Sequence, residues 1–179
     1  MEFSLTLIRL LILDVDGVLT AGSLPYEAGG NVEKVFYVQD GGAIRLWQRM
    51  GGQVAIISGR TSPAVTARAK DLGVTHLHMA VQDKLPVFEW LVKQTNVAPS
   101  EAAFMGDDLL DLPPMSRCGY PIAPANAVAV VKRAAKYITR RNGGAGAVHE
   151  AIERLMRHNG WWDDWMRQRT GRPQLEANG

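Results

Sequence analysis

The sequence predicts an α/β fold, a doubly wound parallel sheet with helices on both faces. Five short apolar runs alternate with helical stretches along the chain, and repeated β-α-β units of this kind form parallel sheets. The runs are mostly apolar on both faces, as expected of strands that are covered on both sides. Acidic or hydroxyl side chains follow three of the runs within two residues, at the strand ends where ligands of such sheets bind.

The predicted strands and helices follow one another in regular order. The strands span residues 7–13, 53–57, 74–79, 102–105 and 118–122, and the helices span residues 41–50, 62–72, 83–94, 126–136 and 146–157. Pro63 suits the first turn of the second helix, and Gly51 and Gly73 suit helix ends. Residues 18–38 interrupt the alternation with glycines and an asparagine between β-forming residues. They predict a small β-hairpin, which we call the flap.

Length and composition limit the kind of protein. A chain of 179 residues is most simply one domain, here residues 1–158, followed by a Trp-rich basic tail at 159–179. The single cysteine, Cys118, excludes internal disulfides and cysteine-based metal clusters. No apolar run approaches the roughly 20 residues of a membrane span, and the apolar N-terminal stretch leads directly into two acids. We therefore expect a cytoplasmic protein without a membrane or nucleic-acid partner.

Two aspartates, Asp14 and Asp16, follow the first predicted strand. Neighbouring buried carboxylates cost free energy unless a cation or a proton compensates them, although such a pair alone is also typical of an Asp-rich turn. Three further signals follow in order: Ser58 after the second strand, Lys84 at the start of a helix, and Asp107 after the fourth strand. Each signal is weak by itself, but together they favour a catalytic site at one edge of the sheet.

These residue types suit phosphoryl transfer. A carboxylate such as Asp14 can attack phosphorus and form an aspartyl-phosphate, while Asp16 exchanges a proton with the leaving group and then with water. Mg²⁺ prefers oxygen ligands, which Asp14, Asp107 and the main-chain carbonyl of Asp16 can supply. Ser58 can donate to phosphoryl oxygens, and Lys84 offers a positive charge to the transition state. Either Asp108 or Asp111 is a candidate for orienting Lys84 or the metal ligands.

At these residues the chain resembles the haloacid dehalogenase superfamily, and most closely its 3-deoxy-D-manno-octulosonate 8-phosphate phosphatase family. The resemblance covers about residues 8–158 and is carried by DVDGVLT at 14–20, FYVQDGGAIR at 36–45, ISGR at 57–60, DK at 83–84, GDDLLDLP at 106–113 and GGAGAV at 143–148. It implies a HAD-like Rossmannoid core without a cap domain, a Mg²⁺-dependent homotetramer, a sugar-acid phosphate substrate and a role in lipopolysaccharide biosynthesis. The substrate-binding residues that it implies are Asp16, Asp40, Gly41, Arg45, Gly59, Arg60, Arg68 and Lys84.

Spacing agrees with the absence of a cap. Only 41 residues separate Asp16 from Ser58, and 25 separate Ser58 from Lys84, which leaves no room for a lid domain. We therefore expect a homo-oligomer, the homotetramer that the resemblance implies, in which a neighbouring subunit completes each pocket. The aromatic, basic segment from Trp161 to Arg172 either approaches an adjacent site or forms a helix packed on its own subunit.

Several alternatives stay open at this stage. The chain departs from the family pattern at Leu110 and His149, so a phosphatase of another nonulosonate phosphate, of the N-acylneuraminate 9-phosphate type, is an alternative. A receiver-like phosphoacceptor module is disfavoured because the middle strand ends in Ser58 and not in an acid, and a catalytically dead scaffold is disfavoured because the acid set is intact.

Two further groups of residues have more than one interpretation. His76 and His78 share a face of one strand, and a packing role is favoured over metal binding. The glycines at 143–146 fit either an anion cradle or a flexible connector.

Overall fold

The computed structural model describes residues 6–30 and 32–171 and contains one parallel sheet with helices on both faces. Its strands are β1 (Leu10–Leu13), β2 (Gln53–Ile57), β3 (His76–His78), β4 (Ala102–Met105), β5 (Tyr120–Ala123) and β6 (Tyr137–Ile138). Its helices are α1 (Val38–Arg49), α2 (Pro63–Leu72), α3 (Lys84–Gln94), α4 (Leu112–Met115), α5 (Ala129–Ala134), α6 (Ala147–His158) and α7 (Trp161–Thr170). The spatial order is β3-β2-β1-β4-β5-β6, so β1 and β4 are central neighbours. The predicted fold class is confirmed.

Alternation along each central strand divides the core into two halves. Leu11 and Leu13 of β1 belong to the cluster that includes α1 and α6, whereas Leu10 and Ile12 belong to the cluster on the opposite face. All four side chains are fully buried. Because successive strand residues point to opposite faces, a strand between two helical layers has to be apolar at every position, as β1 is.

The structure differs from the predicted elements mainly at their ends. The first strand begins at Leu10 instead of residue 7, since Leu7 is half exposed outside the sheet. The helix predicted at residues 126–136 is shorter and spans Ala129–Ala134. Strand β6 was not predicted, because it is two residues long and gives no periodicity that a sequence pattern can reveal.

The flap is less regular than the predicted hairpin. A single antiparallel bridge joins Tyr26 to Val32, and the amide of Gly30 donates to the carbonyl of Glu27 at 2.9 Å to close the turn. Residues 33–37 follow outside any strand or helix, and α1 begins at Val38, three residues earlier than expected. Asn31 of the predicted turn lies outside the described residues.

The Trp-rich segment forms a helix, α7, that packs on its own chain. The ring of Trp161 lies 5.0 Å from the fully buried ring of Trp47 in α1, and Arg157 of α6 lies over Trp162 at 4.7 Å. Residues 161–170 therefore form the helix on the same subunit that was one of the two expected arrangements, and an approach of this segment to an adjacent site stays a prediction. Arg172 and the rest of the predicted tail to residue 179 lie outside the described residues. Among the described helices, none is long and apolar enough to cross a membrane.

The junction between α6 and α7 is tied to the start of β1. The Asn159 carboxamide accepts a hydrogen bond from the Ile8 amide at 2.9 Å and donates one to the Ile8 carbonyl at 2.7 Å. Both residues are buried, so this side chain satisfies two main-chain groups that lie beyond the sheet ladder.

We predict that Asn159→Ala lowers the free energy of unfolding by about 2–4 kcal/mol, because the Ile8 amide and carbonyl lose their partners in a buried place. The matched control is Glu153→Ala, which removes an exposed i,i+4 ion pair with Arg157 and is expected to cost less than about 0.5 kcal/mol. Urea unfolding of the two variants and the natural protein measures the difference. Equal stabilities of the two variants would contradict the prediction.

Candidate active site

The central strands bring two acids to the same edge of the sheet. Strands β1 and β4 are parallel, with Leu13 opposite Met105, and the Asp14 amide donates to the Met105 carbonyl at 3.0 Å. Asp14 follows Leu13 directly, and Asp107 follows Met105 after one glycine. The predicted meeting of strand ends therefore does place Asp14 and Asp107 together.

Gly17 allows this close approach. Its φ of +93° lies in the left-handed region, and a Cβ atom there would collide with the Asp107 carboxylate. Two hydrogen bonds fix the turn after Asp16. The amide of Gly144 donates to the Val18 carbonyl at 3.0 Å, and the Asn126 side chain donates to the Gly17 carbonyl at 2.9 Å. The glycines at 143 and 144 thus serve as close backbone packing against this turn.

Lys84, the first residue of α3, lies buried between two carboxylates. Its Nζ is 2.7 Å from Asp14 Oδ1 and 2.6 Å from Asp111 Oδ1, and 4% of its side chain is exposed. The other oxygen of Asp111 accepts from the amides of Asp107 and Asp108, at 2.9 and 3.2 Å. Of the two acids proposed to orient Lys84, Asp111 is therefore the one in contact, while Asp108 caps the short turn that follows it.

The buried charges do not balance. Ligand oxygens of Asp14, Asp107 and Asp111 all lie within 4.8 Å of one another, with Lys84 as the cation among them. Burial, reinforced by the charge of Asp111, raises the pKa of Asp14 to about 6 despite the lysine. Burial and the neighbouring Asp14 and Asp111 raise the pKa of Asp107 to about 7. Burial alone would lower the pKa of Lys84, but the two carboxylates in contact outweigh it and the pKa is raised.

This donor set suits a hard divalent cation. It consists of carboxylate oxygens, and one of them, Asp107 Oδ1, is buried without a hydrogen-bond partner among the described residues. A buried unpaired carboxylate oxygen is costly, and a cation or a proton removes the cost.

Ser58 lies at the end of β2, beside β1. It is buried, its amide donates to the His78 carbonyl at 2.9 Å, and its Oγ accepts from the Arg60 amide at 3.3 Å. The hydroxyl proton is therefore available for a ligand, whereas the amide of Ser58 is occupied within the sheet.

Asp16 is held by a residue that sequence reasoning did not identify. Lys34 of the flap forms an ion pair with Asp16 Oδ1, which also accepts from Thr20 Oγ1 at 3.4 Å. Nothing in the residues around Lys34 distinguishes it from a solvated lysine, because only the course of the flap brings it to Asp16.

A cavity of about 710 Å³ adjoins the site between the flap and the loop after β2. Its lining includes Lys34, Gly59, Arg60 and Ser62. Arg60 reaches across to the flap, with Nη1 3.4 Å from the Tyr26 hydroxyl. The predicted substrate-binding residues Gly59 and Arg60 therefore line this cavity together with Lys34, which contacts Asp16.

Other predicted substrate-binding residues engage different partners within this single chain. Arg45 and Arg68 both contact Asp71, with Arg45 Nη2 2.6 Å from its main-chain carbonyl and Arg68 Nη1 3.1 Å from its carboxylate. Gly41 lies directly against the Arg68 side chain. Asp40, in the first turn of α1, is buried against the first turn of α6. Its Oδ1 accepts a hydrogen bond from the His149 amide at 2.8 Å, and burial raises its pKa. The structure does not bring these four to the acids, and their role in binding stays a prediction.

The paired histidines of β3 are in aromatic contacts. The rings of His76 and His78 lie 6.4 and 5.2 Å from that of Trp90 in α3, in edge-on arrangements. This placement agrees with the packing role expected of them.

Comparison with known proteins connects this geometry to a family. The profile of the haloacid dehalogenase-like hydrolases matches residues 80–152. The chain is 41% identical over 157 residues to the 3-deoxy-D-manno-octulosonate 8-phosphate phosphatase of Escherichia coli K12, covering 88% of this chain and 84% of the relative. It is 38% identical over 160 residues to the phosphatase of that name from Haemophilus influenzae, covering 89% of each.

Solved structures agree. The Moraxella catarrhalis 3-deoxy-D-manno-octulosonate 8-phosphate phosphatase, in complex with magnesium, phosphate and KDO, has a TM-score of 0.86 and 36% identity, covering 90% of this chain and 92% of that one. A probable yrbi family phosphatase from Pseudomonas syringae has a TM-score of 0.88 and 39% identity, covering 91% and 93%.

The raised pKa of Asp107 predicts how stability depends on pH in metal-free buffer. The folded protein binds this proton more tightly than the unfolded chain, whose pKa is 3.8, so the free energy of unfolding falls as pH rises from about 4 to about 7. We expect Asp107→Asn to be more stable than the natural protein at pH 8 with a chelator, by about 1 kcal/mol or roughly 2–4 °C in Tm, and to lose this advantage at pH 5.

Thermal unfolding at both pH values checks this. The control, Asp83→Asn, changes an exposed carboxylate at a helix N-cap where asparagine caps equally well. An Asp107→Asn protein that is less stable than the natural one at pH 8 would refute the account of the charge imbalance.

Proposed function

Given that the chain belongs to the 3-deoxy-D-manno-octulosonate 8-phosphate phosphatase family of haloacid dehalogenase-like hydrolases, and is thus a phosphatase, we propose that it hydrolyses 3-deoxy-D-manno-octulosonate 8-phosphate to 3-deoxy-D-manno-octulosonate and phosphate. We propose further that the reaction requires Mg²⁺ and passes through an aspartyl-phosphate on Asp14. The observation that carries this proposal is the buried arrangement of Asp14, Lys84, Asp111 and Asp107 at adjacent strand ends.

Asp14, Asp107 and the main-chain carbonyl of Asp16 would hold the metal ion. The closeness of the Asp14 and Asp107 carboxylates and the unpaired Asp107 Oδ1 support the first two ligands, and the related Moraxella catarrhalis enzyme is in complex with magnesium. The Asp16 carbonyl is proposed from the sequence, and Asp111 is left out because both of its oxygens already accept hydrogen bonds. When bound, Mg²⁺ neutralises charge between the carboxylates and the phosphoryl oxygens.

In the first half of the reaction a carboxylate oxygen of Asp14 attacks phosphorus. Lys84 is bonded to Oδ1 of Asp14, and we assign the attack to Oδ2. The new bond joins Asp14 to phosphorus, the bond from phosphorus to the sugar oxygen breaks, and Asp16 gives its proton to that oxygen. The Ser58 hydroxyl and Lys84 stabilise the charge on the phosphoryl oxygens.

In the second half, water attacks the phosphoryl group on Asp14. Asp16, now ionised, takes a proton from this water, and the bond between Asp14 and phosphorus breaks to release phosphate. Because Asp111 fixes Lys84 through one oxygen and is itself fixed by two amides, Lys84 keeps its position through both halves.

We also propose that the active form is a homotetramer. The described residues contain no cap domain, and the flap leaves the 710 Å³ cavity open at one side, so a neighbouring subunit is needed to exclude water. Sizing of the intact protein should give four chains, and a fully active monomer would refute this part of the proposal.

The test of the function is phosphate release from a panel of sugar phosphates with and without Mg²⁺. We expect the highest kcat/KM with 3-deoxy-D-manno-octulosonate 8-phosphate, loss of activity on chelation and recovery on adding Mg²⁺. The panel includes N-acylneuraminate 9-phosphate, because Leu110 and His149 depart from the family pattern. A preference for that compound would change the substrate, and full activity in metal-free buffer would overturn the metal requirement.

We predict that Asp14→Asn reduces turnover to the background of the assay, since an amide is a poor nucleophile, while the protein stays folded. Asp16→Asn should lower kcat by roughly 10²–10⁴-fold through loss of its proton. Steady-state kinetics and Tm are measured together, with the exposed Asp83→Asn as the control. A natural turnover rate in Asp14→Asn would mean that another residue is the nucleophile.

A further inference from the structure

The side chain of Lys34 is buried at the site, and the reaction steps proposed above do not use it. Only 3% of its side chain is exposed, although it lies on the flap, where Val35 and Tyr26 are well exposed. Burying a lysine is costly unless its charge is paired, and the partner here is Asp16. The contact therefore links the flap to the acid and base of the proposed reaction.

The two oxygens of the Asp16 carboxyl have different surroundings. Oδ1 receives Lys34 Nζ and the more distant Thr20 hydroxyl, whereas the structure gives Oδ2 no hydrogen bond within residues 6–30 and 32–171. A carboxyl held through one oxygen keeps its orientation, and the other oxygen stays free to exchange a proton.

The flap fixes the place of Lys34 through its backbone. The bridge between Tyr26 and Val32 ends two residues before Lys34, and the amide of Glu33 donates to the Pro25 carbonyl at 3.2 Å. The lysine also lines the 710 Å³ cavity together with Gly59 and Arg60. Its side chain therefore contacts Asp16 and lines the cavity at the same time.

We propose that Lys34 is a positioning residue that holds the Asp16 carboxyl by Oδ1 and leaves Oδ2 to protonate the leaving oxygen. This inference rests on the proposed function. Because Lys34 acts through Asp16, replacing Lys34 should lower the reaction rate only for substrates whose leaving group needs a proton. A misplacement of a catalytic group by about 1 Å typically costs about 10²-fold in rate.

The experiment compares two substrates with different needs for an acid. The leaving group of the sugar-acid phosphate is the alkoxide of the sugar acid, which needs a proton. The leaving group of para-nitrophenyl phosphate is para-nitrophenolate, which is stable without one. We expect Lys34→Met to lower kcat/KM for the sugar-acid phosphate by about 10²-fold and for the aryl phosphate by less than about threefold. Lys34→Arg keeps the charge and should restore part of the loss, and the exposed Lys70→Met serves as the control.

A double-mutant cycle separates positioning from direct binding of the substrate. In the Asp16→Asn background, Lys34→Met should have no further effect on the sugar-acid phosphate, because the group that it orients is already absent. Tm of every variant is measured, and Lys34→Arg keeps the comparison valid if Lys34→Met is unstable.

The outcomes are distinct. An equal loss with both substrates, no loss, or an undiminished effect of Lys34→Met in the Asp16→Asn background would overturn the positioning role while leaving the phosphatase assignment intact. Inactivity of the natural protein on every phosphate with Mg²⁺ would refute the proposed function, and this inference with it.

Discussion

The site depends on an imbalance of buried charge. Asp14, Asp107 and Asp111 share a small buried space with one lysine, Lys84, so the negative charge exceeds the positive charge. Such a cluster costs free energy unless a proton or a cation compensates it, and a metal ion removes that cost. The same imbalance of charge that lowers the stability of the fold therefore creates the affinity for a cation, as expected where function and stability compete.

The backbone around the site is built to let these acids approach one another. Gly17 has no side chain where the Asp107 carboxylate lies, and the glycines at 143 and 144 let the loop before α6 support the same turn. A side chain at any of these positions would separate the strand ends or the supporting loop. The glycine-rich segment near residue 143 is therefore distant in sequence from the acids but supports the turn that lets them approach one another.

The flap covers the site in the place of a cap domain, and a few polar contacts hold it there. Lys34 reaches Asp16, and Tyr26 reaches Arg60, so both contacts join the flap to loops that follow central strands. One antiparallel bridge leaves the flap with little internal hydrogen bonding, so these contacts fix its position over the cavity. A segment of this size cannot exclude water alone, which is why we place a neighbouring subunit beside it.

Apolar strands and the residues that end them are local patterns, so the parallel α/β fold and the strand-end positions of Asp14, Ser58 and Asp107 could be predicted from the sequence. The tertiary structure was needed to choose Asp111 over Asp108 as the partner of Lys84 and to reveal that Lys34 contacts Asp16. It also decided that α7 packs on its own chain and that Asn159 binds Ile8, 151 positions away. These contacts join residues far apart along the chain, and hydrophobic periodicity carries no information about such pairs. The packing of helices and loops determines where a charged side chain lies and therefore which partners it contacts. These partners can be identified only from the folded structure.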